Sequence, residues 1–165
     1  MSAINLRPFL PDDASRCLEI FHASIEEIAS DDYDVDQCEA WRSRASDTVG
    51  FAARLAQALT LVATQEEVLA GFASLKGGDL IDMLYVDPAF SRRGIGGALI
   101  DALVKLAQAR GAERVTGVVS DTARSTFERQ GFVAQRRSLA SIGDQWLGNT
   151  TMSKALAKSE PTTGH

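Results

Sequence analysis

Cysteine, basic charge and long apolar runs are all scarce in this chain, and each scarcity removes a class of function. Only two cysteines occur in 165 residues, Cys17 and Cys38. They form no metal spacing and no disulfide framework. Cys17 falls on the apolar side of a helical pattern, where a thiol acts as a small buried hydrophobe. Lys and Arg number 17 against 22 Asp and Glu, for a net charge of −5. A nucleic-acid surface needs a basic patch, so no nucleic acid is expected as a partner. No apolar run approaches the ~20 residues of a membrane span, and the first ten residues lack the apolar centre of a signal peptide. No membrane contact is expected, and a cytoplasmic location is the simplest inference. Repeats, low-complexity tracts and linkers are also lacking. What remains is 45% hydrophobic and 24% charged, an ordinary soluble composition of single-domain length.

The stretch from Leu80 to Ala107 organises the rest. Leu80–Val86 is an apolar run of strand length, stopped by Asp87-Pro88 because proline lacks a ladder N–H. A loop with two arginines and three glycines follows, Arg92-Arg93-Gly94-Ile95-Gly96-Gly97. Then Leu99, Leu103 and Leu106 recur at helical spacing, with Ile100, Val104 and Ala107 widening the face. Strand, glycine-rich turn and helix make an anion cradle. Glycine lets backbone approach a ligand, and the first helical turn offers free N–H groups. The arginine pair suits a diphosphate. No lysine-serine or lysine-threonine pair follows, so this is not a Walker loop.

Around it the chain alternates α and β patterns. Strands are expected near 4–9, 59–64, 68–75, 114–119, 132–139 and 145–152. Helices are expected over 11–28, 36–44, 48–58 and 121–129. Gly77-Gly78 supplies a hairpin turn into the central strand. Residues 1–156 are expected to form one domain, with 157–165 a loose polar tail.

Leu84-Tyr85-Val86-Asp87-Pro88 followed by Ser91-Arg92-Arg93-Gly94-Ile95-Gly96 resembles the acetyl-CoA motif of the GCN5-related N-acetyltransferases, the GNAT superfamily. Ser125-Thr126-Phe127-Glu128-Arg129-Gln130-Gly131-Phe132 resembles the next motif of that family. Tyr33, Trp41 and the run Ile81–Pro88 are similar to its YafP-like subgroup. The resemblance implies an α/β (α+β) GNAT-type domain with a mixed, mostly antiparallel sheet of about seven strands flanked by helices. It implies an N-acetyltransferase moving acetyl from acetyl-CoA directly to an amine of a small molecule or peptide, with no metal. The alternative is a non-catalytic acyl-CoA sensor. A homodimer is left open.

The same resemblance assigns site residues. Arg92, Arg93 and the N–H groups of Gly94, Ile95, Gly96, Gly97 and Ala98 would contact phosphates. The backbones of Leu84, Tyr85 and Val86 would line the pantetheine arm. Ser120, Asp121, Ser125 and Phe127 stand where relatives use groups on pantetheine, adenosine or the sulfur; for Ser120 and Asp121, capping the short helix is the competing role. Two positions depart from the pattern. Ser91 stands where Gln or Arg is usual, and Phe127 stands where many relatives have tyrosine. Phenylalanine cannot donate a proton, but a CoA thiol, near the ~8.5 of free cysteine, leaves as thiolate unaided.

An alkyl ammonium near pKa ~10 must lose a proton before it attacks. Asp82 is the candidate to accept it, with strand alternation putting it on the face of Leu84 and Val86; pairing with an arginine is its competing role. Tyr33 is the second catalytic candidate, ahead of Asp32, Glu26 and Glu27. Trp41, Tyr33 and Trp146 would wall the acceptor pocket, and Asp31, Asp32 and Asp34 would attract a cationic acceptor.

Overall fold

The computed structural model describes residues 3–27, 29–45 and 47–157. Most of the tail expected from 157 onward therefore lies outside the described residues. The order is β1 (Asn5–Pro8), a 3-10 turn at Pro11–Asp13, α1 (Ala14–Glu27), α2 (Val35–Arg42), α3 (Thr48–Gln57), β2 (Leu59–Gln65), β3 (Val68–Lys76), β4 (Leu80–Val86), α4 (Ile95–Ala109), β5 (Arg114–Ser120), α5 (Arg124–Arg129), β6 (Val133–Ile142) and β7 (Gln145–Ala155). The expected elements are present, with ends moved by a few residues. Shifts of three residues occur at the start of the 121–129 helix, whose α-helical part begins at Arg124, and at the ends of β6 and β7.

Seven strands form one sheet in the order β1-β2-β3-β4-β5-β7-β6. Neighbours pair antiparallel except β4 and β5. Helices cover both faces, because β3 and β4 alternate apolar side chains to both sides. On one side α4 seals Ile95, Leu99, Ile100, Leu103 and Val104 against Ala73, Ile81, Val115 and Met152. On the other, α1, α2 and α3 bury Cys17, Ile20, Phe21, Ile25, Cys38, Phe51 and Leu55 against Val62, Phe72 and Met83. Both cysteines are free and buried. Leu99 and Leu103 are fully buried, so truncating either to alanine would cost ~2–5 kcal/mol.

Local chemistry sets the ends of these elements. The Asp34 side chain caps α2 by accepting from Gln37 N at 2.8 Å, and Gln37 Oε1 accepts from Asp34 N in return, a reciprocal cap. Asp47 caps α3 through Gly50 N at 2.6 Å. Gly77 and Gly78, at φ 62° and 85°, make the tight turn from β3 into β4, as their sequence predicts. No described helix is long and apolar enough to cross a membrane.

Candidate active site

The site exists because β4 and β5 stop pairing. They are joined in parallel only at Leu80–Thr116 and Ile81–Gly117, and beyond that the two strands diverge. From there β4 is held only by β3 and β5 only by β7. A cleft thus opens inside the sheet with unpaired backbone on both walls. In an antiparallel pair, alternate residues point their N–H and C=O to one neighbour. Asp87 N donates to Ala70 O at 2.7 Å, so in the β3–β4 register Tyr85 and Met83 also face β3. Leu84 and Val86 therefore turn their N–H and C=O into the cleft. Tyr85, expected to offer backbone there, uses its backbone on β3 and contributes its side chain instead.

A register shift in β4 moves Asp82. Ile81 stands opposite Leu75 and Met83 opposite Ser74, which leaves Asp82 as the extra residue of a bulge. Simple alternation would put Asp82 on the α4 face with Leu84 and Val86. The bulge overturns that expectation: Leu84 and Val86 pack toward α4, while Asp82 meets Arg54 of α3 on the opposite face. Arg54 Nη2 and Nε donate to Asp82 Oδ2 at 3.1 and 3.3 Å, with the carboxylate side chain 21% exposed and the guanidinium 46%. The arginine partner weighed in the sequence is present.

A cavity of about 230 Å³ runs through the cleft. Its wall on the α1–α3 side includes Phe21, Trp41, Arg44, Arg54, Asp82 and Tyr85, and its far wall includes Val118, Ser120, Phe127 and Asn149. A smaller cavity of about 120 Å³ shares Leu84, Tyr85 and Ser120 and reaches Val86, Gly96 and Thr126 at the start of α4. Together they connect the Asp82 wall to the glycine turn. The Tyr85 hydroxyl accepts from Trp41 Nε1 at 3.2 Å, which leaves its own proton free. Burial, partly opposed by that bond, pushes Tyr85 up to about 12. The Asn149 Oδ1 is buried in the cavity wall with no hydrogen-bond partner among the described residues.

At the turn, Gly94 caps α4 in the left-handed region at φ 84°, where glycine is favoured. Arg92 also lies there, at φ 62°, a strain of ~1–2 kcal/mol for a side chain with a Cβ. Added bulk at Gly94 would meet open space, but a Gly96 Cβ would lie 3.3 Å from Thr126 Cγ2, and a Gly97 Cβ 2.8 Å from Gln130 Nε2. Gly96 and Gly97 thus let α5 pack against α4. Ala98, expected among the phosphate contacts, donates its N–H to Gly94 O at 3.0 Å, so the free donors end at Gly97. Arg93 lies over the Phe90 ring at 4.9 Å and donates to Gln65 Oε1 at 3.2 Å, which turns it toward the β2–β3 turn. Arg92 has no side-chain partner among the described residues.

Several candidates are held by structure. The Tyr33 side chain, only 6% exposed, donates to Gly148 O at 2.6 Å and accepts from Asp121 N at 2.8 Å; burial, the first cause, raises its pKa. Asp121 is gripped by Arg137 at 2.7 and 3.0 Å rather than capping the short helix. Ser120 does not cap it either: its Oγ accepts from Ala123 N at 3.2 Å, which fixes the turn leading into the helix, and Ala123 at the N-cap has no side-chain cap bond. Ser125 is exposed and lines neither cavity. Phe127 lines the cavity, with its ring edge-on to Phe132 at 5.1 Å. Trp146 is 59% exposed and outside both cavities. Of the acidic residues expected to attract a cation, Asp32 bonds Thr122 at 3.0 Å and Asp34 caps α2, and none of Asp31, Asp32 or Asp34 lines a cavity. Arg44, Arg54 and Asn149, which do, were missed. They are far from the motifs in sequence, and no local pattern marks them.

A model of the acetyltransferase (GNAT) domain matches residues 29–156. The chain belongs to the GNAT acetyltransferase family. An uncharacterized N-acetyltransferase of Escherichia coli (strain K12), YafP, is 31% identical over 152 residues, 92% of this chain and 96% of that protein. A crystal structure of a GCN5-related N-acetyltransferase from Rhodopseudomonas palustris, whose description also carries the words aminotransferase, class-II, is 54% identical. It superposes with a TM-score of 0.91 over 94% of this chain and 98% of its own. The GNAT fold extends to yncA of Salmonella typhimurium, a putative acetyltransferase solved with acetyl-CoA, at 21% identity and a TM-score of 0.71 over 99% of both chains.

Proposed function

We propose that this GNAT acetyltransferase moves the acetyl group of acetyl-CoA directly to the amine of a small molecule or peptide, with no covalent acyl-enzyme. The observation that carries the reading is the divergence of β4 from β5, which leaves Leu84 and Val86 backbone groups unpaired in a cleft ending at Gly94. Unpaired backbone inside a sheet calls for a partner, and an extended, amide-bearing arm fits that demand. Acetyl-CoA has such an arm and supplies, when bound, an activated acetyl group on a good leaving thiol. The bound acetyl-CoA in yncA agrees with the reading.

Residues of this chain take the remaining roles. Arg92 and the N–H groups of Gly94, Ile95, Gly96 and Gly97 hold the diphosphate, with the strained Arg92 backbone preset for it. The cleft-facing N–H groups of β4 stabilise negative charge that develops on the acetyl oxygen. Asp82, brought by its bulge to the cavity wall opposite α5, takes the ammonium proton directly or through water. Tyr33 keeps its hydroxyl on Gly148 and Asp121 and shapes the wall. Asn149 Oδ1 offers an acceptor to an N–H group of whatever lies in the cavity.

The test is a screen of primary amines for acetyl-CoA-dependent thiol release, run beside acetyl-CoA binding by thermal shift. Binding with release for at least one amine supports the enzyme. Binding with no release across the panel would favour the sensor reading that Phe127 prompted, and no binding at all would remove both.

A further inference from the structure

The protein carries a net charge of −5, yet the wall of the cavity on the α1–α3 side has the opposite sign. Arg44 and Arg54 line it with one carboxylate, Asp82. Arg54 is paired with that carboxylate. Arg44, in the turn after α2, bonds Trp41 O through its backbone N, but its guanidinium has no partner among the described residues. The acidic residues of the neighbouring segment are turned to Thr122, to the α2 cap or to solvent. A guanidinium facing a cavity with no counter-charge is a receptor for an oxyanion, since its planar fork matches two oxygens.

From this we propose that the acceptor is an amino acid-type molecule, a primary amine that also carries an anionic oxyacid group bound by Arg44. The proposal rests on the N-acetyltransferase reading and names its substrate class. Arg44 holds the anion, and Asp82, the one carboxylate of the wall among the described residues, faces the ammonium. The same charges work against polyamines and lysine-rich peptides, whose extra cations would meet two arginines and one acid already paired.

Matched acceptors test it: glycine, β-alanine and glutamate against their carboxamides, with aminomethylphosphonate and putrescine as further arms. Thiol release should favour free acid over carboxamide at least tenfold in kcat/KM, mostly through KM, and the preference should shrink with added salt. Aminomethylphosphonate against glycine tells a phosphonate from a carboxylate preference. Arg44→Gln should collapse the acid-to-amide ratio toward one. A readout without turnover uses N-acetylglycine and N-acetylglycinamide with CoA: the acid should raise the melting temperature more, and only with Arg44 present. If amines react but acid and carboxamide are equal, or the ratio survives Arg44→Gln, the proposal fails while the N-acetyltransferase reading stands. If no amine of any charge reacts, that reading fails first, and equal shifts by the two acetylated probes then overturn this proposal as well.

Discussion

The two walls of the cleft are built on different principles. The α4 side is made of backbone: Leu84 and Val86 in β4, then the Gly94 turn and the first N–H groups of α4. Its residues are nearly contiguous, and their chemistry is that of unpaired peptide groups. The α1–α3 side is made of side chains gathered from distant segments, Trp41, Arg44, Arg54 and Asp82 among them. One wall can hold a ligand common to a whole family, because any sequence that folds this way exposes the same N–H groups. The other can be rewritten residue by residue. Donor recognition should therefore tolerate side-chain changes that destroy acceptor use, and the reverse should hold for backbone changes.

The sharpest way to break that division is Asp82→Asn. If Asp82 takes the ammonium proton, kcat/KM should fall ~100- to 10,000-fold while acetyl-CoA affinity stays near wild type. The lost pair with Arg54 is only partly buried and its guanidinium is nearly half exposed, so stability should change by about 1 kcal/mol or less. A joint loss of melting temperature and donor affinity would make Asp82 structural.

Gly94→Val probes the other wall. Its left-handed backbone would be strained by ~1–2 kcal/mol, and the new side chain would enter open space beside the helix N-terminus. Acetyl-CoA affinity should fall at least ~10-fold, equivalent to ~1.4 kcal/mol, with the choice among acceptors unchanged. Gly96 is a poorer site for this test, since bulk there strikes Thr126 of α5. Unaltered affinity in a folded Gly94→Val protein would move the diphosphate elsewhere.

Tyr33→Phe should act on stability rather than chemistry. It leaves Gly148 O and Asp121 N without their partner, a loss of ~1–3 kcal/mol readable in a denaturant titration. An activity loss with stability intact would return Tyr33 to the list of catalysts.

A further effect is confined to alkaline pH. Burial holds Tyr85 protonated to about 12, whereas the unfolded chain releases that proton near ~10. Between those values the folded state binds the extra proton, so stability falls as pH rises. Tyr85→Phe should flatten that decline; an identical decline in the variant would place the titration elsewhere.

The wall proposed for the donor was legible as strand, turn and helix in sequence because it is local. Asp87-Pro88, Arg92 to Gly97 and the apolar spacing of α4 lie within thirty residues, and each acts through the backbone it shapes. Its errors came from hydrogen-bond direction. Neither the β3 pairing of Tyr85 nor the use of the Ala98 N–H inside α4 is written in residue types. The acceptor wall was less legible. Strand alternation put Asp82 on the wrong face because a single-residue bulge reverses side-chain direction and carries no glycine or proline to announce it. Arg44 and Arg54 look like ordinary solvated arginines until α3 packs against the sheet. Acidic residues near Tyr33 suggested a cation site, but capping and side-chain bonds claim Asp34 and Asp32.

Amide hydrogen exchange resolved residue by residue, with and without acetyl-CoA, reads the central claim directly. Leu84 and Val86 face the cleft without a strand partner, so their exchange should slow markedly on binding. Met83 and Tyr85 already donate to β3 and should change little. Protection of all four alike, or of none while acetyl-CoA is bound, would contradict a donor held by the unpaired edge of β4.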